Sequence, residues 1–98
     1  MSESERYKVL LTQSARRDIC RSIRFPLRIS EPSVRRWLGD LRSRLLVLRG
    51  MPHRRTAAPE SSQWGVNYQQ MRFGTFRIFY RIDAQLVYVL RIVDESTV

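Results

Sequence analysis

The last third of the chain restricts the fold most. Phe76–Ile82 alternates, with Phe76, Ile78, Tyr80 and Ile82 on one side and Arg77, Phe79 and Arg81 on the other. A period of two is the mark of a strand with one face turned to a core. Leu86–Val93 is almost continuously apolar, as expected of a central strand covered on both faces. Gly74-Thr75 and Asp83-Ala84-Gln85 are turn signals. With the short mixed stretch Tyr68–Phe73 they predict three antiparallel strands in succession. Such a sheet needs a second layer over its apolar face.

The earlier residues supply that layer. Arg6–Thr12 reads as a strand, with Tyr7, Val9 and Leu11 on one face. Thr12 or Ser14 can cap a helix, and Ala15, Ile19 and Ile23 follow at four-residue spacing. Pro26 disfavours a helical Phe25, so this helix should end near Arg24. A second helix has Ser30 as its cap and Pro32 in its first turn. Its apolar face is Val34, Trp37, Leu38, Leu41, Leu45 and Leu48, and Gly50 and Pro52 stand where it should stop. Met51–Asn67 has no period and reads as a long loop, a place where function often resides. The expectation is one α+β domain over residues 1–98, ordered β-α-α-β-β-β. Its helical hairpin should pack on a small, mainly antiparallel sheet.

Charge narrows the partners. The chain has 98 residues and a formal charge of +9, with a pI of about 11.2. Seventeen of its 18 basic residues are Arg, and only Lys8 is Lys. Guanidinium groups grip phosphates and carboxylates in pairs, so nucleic acid or an acidic protein is the expected partner. Arg35, Arg42 and Arg49 recur every seven residues on a flank of the second helix. Cys20 has no second cysteine to bond and reads as a small packed side chain. No Cys/His cluster suggests a metal, and no cofactor or small-molecule substrate is indicated. No apolar run approaches the ~18 residues of a membrane span. Met1–Arg6 is polar and charged. A cytoplasmic protein is expected.

Four strings, in this order, resemble the RelE/ParE superfamily of bacterial toxins. They are Tyr7–Ala15 followed by Arg17-Asp18-Ile19; Leu48-Arg49-Gly50-Met51-Pro52; Met71–Arg81; and Val87–Val93. The resemblance implies a toxin of a type II toxin–antitoxin system, held inactive by a cognate, usually acidic, antitoxin. Trp37 and Trp64, with Arg35 and Arg42, are candidate antitoxin contacts, since Trp and Arg are favoured at binding hot spots.

The superfamily divides by target: RelE-like members cut mRNA on the ribosome, and ParE-like members poison DNA gyrase. RNA cleavage needs a base, an acid and cations to hold the phosphate. Arg77 matches the superfamily's aromatic–Arg position, and Arg72 lies on the preceding strand. The usual lysine positions fall at Tyr68 and Gln70, and Val93–Ser96 contains no Arg, His or Tyr. Glu60, in a Pro-Glu pair, is a candidate base, and His53 is the only histidine. Catalytic groups act as a set, so the missing members favour the ParE-like reading. The nuclease is the alternative, with Arg72, Arg77 and Glu60 as its catalytic candidates. Arg72, Arg77 and Arg81 are the candidate target-binding residues under either reading.

Overall fold

A computed structural model describes residues 7–24, 31–50, 52 and 68–96. The elements are β1 (Lys8–Leu11), α1 (Gln13–Arg24), α2 (Glu31–Leu46), a 3-10 turn (Val47–Arg49), β2 (Gln69–Phe73), β3 (Phe76–Asp83) and β4 (Leu86–Asp94). They form one four-stranded sheet in the order β1-β4-β3-β2. β2, β3 and β4 are antiparallel neighbours. β1 runs parallel to β4, Lys8 opposite Leu86 and Leu11 opposite Val89. The expected β-α-α-β-β-β order holds, and the sheet is mixed through its first strand.

Both helices contribute to one core. Ala15 of α1 and Leu41 and Leu45 of α2 join Leu48, Met71, Ile78, Tyr80, Val87, Val89 and Ile92 there, with Tyr7, Val9 and Leu11 packed against them. The second helix becomes a 3-10 turn after Leu46, which keeps Leu48 inside. The turn closes on a Gly50 N–H bond to the Val47 carbonyl.

The expectation that β4 is covered on both faces is corrected. Val87, Val89 and Ile92 are buried toward the helices, while Leu86, Tyr88, Leu90 and Val93 are only half-buried. The spacing of the buried residues changes from two to three because of a bulge. Tyr80 pairs with Val89 and Phe79 with Arg91, leaving Leu90 as the extra residue. An unbroken apolar run conceals such a phase change, because either face looks suitable for the core.

The bulge lies beyond the end of β1, where β4 keeps β3 on one side and has no described strand on the other. α1 and its cap fill that edge. Thr12 donates its backbone N–H (3.1 Å) and its hydroxyl (2.9 Å) to the Val89 carbonyl. The same hydroxyl accepts the Ala15 N–H, capping α1. Six residues further along, Asp18 is 6% exposed. Its carboxylate accepts the Ile92 N–H at 2.8 Å and two Arg91 guanidinium bonds at 2.7 and 3.0 Å. The hydrogen bonds to Asp18 raise the Arg91 pKa further above its ordinary value, against the opposing effect of burial.

A second tie joins the end of the helical layer to β3. The hydroxyl of fully buried Tyr80 donates to the Pro52 carbonyl at 2.6 Å, and Gln69 Nε2 donates to the same oxygen at 3.3 Å.

Cys20 is exposed on the outer side of α1, not packed as expected. It sits one position beyond the Ala15–Ile19 stripe, and one position is about 100° around a helix.

Candidate functional site

The β2–β3 turn brings two of the candidate arginines together. Gly74 takes a left-handed conformation (φ 59), which a residue without Cβ adopts without strain. The tight turn that results places Arg72 directly opposite Arg77. Both lie on the sheet face away from Ile78 and Tyr80, and so away from the helices.

Glu95, a residue that no sequence motif marks, holds them there. It follows β4, and its backbone N–H bonds the Thr75 carbonyl at 2.9 Å. Its Oε2 accepts Arg77 Nε at 2.8 Å and lies 2.7 Å from Arg77 Nη2. Its Oε1 lies 3.2 Å from Arg72 Nη1. Gln70 Oε1 accepts from Arg77 Nη1 at 2.8 Å. One guanidinium fork thus spans a carboxylate and an amide, a charge-assisted and directional arrangement. The Arg77 side chain is 16% exposed, while that of Arg72 is 66% exposed.

The face shared by Arg77, Phe79 and Arg81 is not an ordinary solvated one. Phe79 is buried, with the Arg77 guanidinium 4.6 Å from its ring centre. Arg81 lies 4.5 Å from the Tyr88 ring centre and 3.9 Å from Asp83. Arginine stems and planes thus cover aromatic surface that no helix covers. Asp94, beside Glu95, accepts the Ser96 N–H (2.9 Å) and the Thr75 hydroxyl (3.0 Å). The Ser96 backbone bond is the main reason its pKa is lowered, with burial opposing and the Ser96 and Thr75 side chains adding to the lowering.

The other candidates lie elsewhere. Trp37 is half-buried on α2, its ring centre 5.2 Å from that of Phe76 and 5.8 Å from that of Phe73. Arg35 makes an exposed 3.3 Å pair with Glu31 one turn earlier, and Arg42 is exposed. Glu60, Trp64 and His53 lie outside the described residues. An unbroken count along the β3–β4 hairpin would set Asp94 opposite Thr75; the bulge shifts the register by one and sets Glu95 there instead, so no sequence signal marks it. Among the described residues no group of His, Cys, Asp and Glu is placed to hold a metal ion.

Comparison with known proteins decides the family. A model of the ParE toxin of the type II toxin–antitoxin system, parDE, matches residues 9–98. The chain belongs to the ParE toxin family. A chain from the solved structure described as a chromosomal ParDE TA system from P. aeruginosa has the same fold. It aligns with a TM-score of 0.71 over 93% of this chain and 98% of that one, at 13% identity. No curated protein matches in sequence. The four strings that carried the resemblance now have physical roles in this ParE-family toxin. Thr12 and Asp18 secure the edge of β4, and Pro52 and Tyr80 tie the helical layer to β3. Arg72, Gly74 and Arg77 build the hairpin that Glu95 grips. Among the described residues no helix is long and apolar enough to cross a membrane.

Proposed function

We propose that this chain arrests growth by inhibiting DNA gyrase, without cutting RNA, and that a cognate acidic antitoxin neutralises it. The observation that carries this reading is the state of Arg77. A nuclease of this superfamily would need that guanidinium to receive a phosphate as charge builds on it. Here its fork is engaged by Glu95 and Gln70. The flanking positions add Tyr68, Gln70, Asp94 and Ser96, which supply no further cation.

The antitoxin reading rests on family membership and on charge. A chain of net charge +9 favours an acidic partner by complementarity. On α2, Trp37 offers half-buried aromatic surface, Arg35 and Arg42 offer cations, and Leu46 and Val47 beyond them are 42% and 45% exposed. An apolar anchor with charges around it suits a protein partner. Trp64 is part of the same expectation from the sequence.

One observation favours the mRNA-nuclease alternative. Arg72 and Arg77 converge on a single carboxylate, so the pair is shaped to hold an oxyanion. The test combines a supercoiling assay using purified DNA gyrase with mapping of new mRNA 5′ ends after induction. Blocked supercoiling without new ends is the expected result. Full supercoiling at saturating protein, with cuts in phase with codons, would overturn the proposal and return Arg72, Arg77 and Glu60 to a catalytic role.

A further inference from the structure

The outer face of α1 is built unlike that of α2. Its exposed residues are Gln13, Ser14, Arg16, Arg17, Cys20 and Arg21. The helix has one carboxylate, Asp18, and that is turned inward against Arg91 and Ile92 of β4. No acidic residue stands in its first turn. Arg16 and Arg17 therefore occupy the end of the helix where the backbone dipole already concentrates positive charge. Arg17 and Arg21 stand one turn apart, a like-charge spacing that destabilises a helix. Among the described residues none of the three pairs with a carboxylate. On α2, by contrast, Glu31 pairs with Arg35, and Asp40 adds a second negative charge.

Folding gains nothing from Arg16 and Arg17 near the positive end of the helix dipole, or from the like-charged spacing of Arg17 and Arg21. Breaches of local rules without a structural return mark functional surfaces. The ligand class follows from what the face lacks. It presents no exposed aliphatic or aromatic side chain to anchor a protein partner, unlike the surface around Trp37, Leu46 and Val47. It has no ring on which a single-stranded base could stack. It offers guanidinium groups on a rigid helix, the chemistry that neutralises backbone phosphates without reading bases.

We propose that Arg16, Arg17 and Arg21 form a binding surface for the phosphate backbone of duplex DNA, separate from both the Arg72–Arg77–Glu95 cluster and the α2 surface. Binding there is sequence-independent and sensitive to salt. This inference does not depend on gyrase being the target.

The test is fluorescence anisotropy of a labelled DNA duplex titrated with the full chain over a series of salt concentrations. The protein is compared with R16Q/R17Q/R21Q and with K8Q/R36Q/R44Q, which removes the same charge from other exposed positions. Circular dichroism establishes that each variant is folded. The plot of log affinity against log salt should be shallower by about 2.7 in R16Q/R17Q/R21Q, at about 0.9 for each phosphate no longer neutralised. It should change by less than about 1 in K8Q/R36Q/R44Q, since fewer than about one phosphate would lose its cation there. Equal flattening in both variants would overturn the proposal, as diffuse charge would then account for binding. Tighter binding of single-stranded DNA, duplex RNA or a poly-glutamate peptide at the same salt would also overturn it.

Discussion

Replacing Asp18 with Ala removes an acceptor that serves three donors: the Ile92 N–H and two guanidinium N–H groups of Arg91. The two kinds of bond should not cost the same. The Ile92 N–H is buried beside the bulge, and leaving it without an acceptor exposes the full desolvation penalty, about 1–3 kcal/mol. The Arg91 side chain is 51% exposed. Water replaces much of the ion pair there, so the pair adds at most about 1 kcal/mol. The sum is about 1–4 kcal/mol, a substantial part of the roughly 5–15 kcal/mol typical of a domain. Asp18→Asn keeps a carbonyl oxygen for Ile92 but turns an N–H donor toward Arg91, so its cost should be about 1–2 kcal/mol. Urea denaturation of the three proteins measures both differences. The midpoint should fall in the order wild type, Asn, Ala, with the slope unchanged. Equal midpoints for Asn and Ala would refute the reasoning, because the backbone N–H would then carry none of the energy.

Three shorter predictions follow from the same geometry. Glu95→Gln should open the Arg72–Arg77 pair to external oxyanions, so the Arg77 Nε–H resonance moves on adding inorganic phosphate to the variant and stays put in the wild type. Asp94 should titrate below its ordinary 3.8, and Thr75→Ala should raise its midpoint toward that value in an NMR titration. Because the folded pKa is the lower one, this carboxylate's stabilisation is present above the ordinary value and fades as pH falls through the folded one. Ala84 has a left-handed backbone (φ 56) in the β3–β4 turn, so Ala84→Gly should relieve strain and stabilise the chain by about 0.5–1 kcal/mol in thermal or urea unfolding.

The fold is legible in the sequence because its elements repeat a period. The alternation of Phe76, Ile78 and Tyr80, and the spacing of Ala15 and Ile19, survive in the structure as core-facing stripes, with Ala15, Ile78 and Tyr80 buried and Ile19 and Phe76 packed against them. The bulge at Leu90 is not legible, because a run apolar at every position carries no phase. Cys20 departs from expectation because its residue type favours packing while its angle on the helix turns it outward. In the candidate site, the turn chemistry of Gly74 makes the nearness of Arg72 and Arg77 readable. Glu95 lies outside every period, in a tail of polar residues, and only strand register brings it to Arg77. The family strings are informative about architecture because Thr12, Asp18, Pro52 and Tyr80 are its fasteners. The same strings say less about the target, which depends on the groups around Arg77.

The parallel pairing of β1 with β4 has a consequence for how the toxin comes into being. The first strand to leave the ribosome must wait for the last, because among the described residues its only hydrogen-bonded partner in the sheet is β4. Asp18 and Thr12 wait for the same strand. No stable partial sheet can include β1 during synthesis, and the closing step joins segments far apart in sequence, which slows folding. The competent protein therefore emerges only after Leu86–Asp94 has been made, leaving an interval in which an antitoxin can meet the chain before it has finished folding.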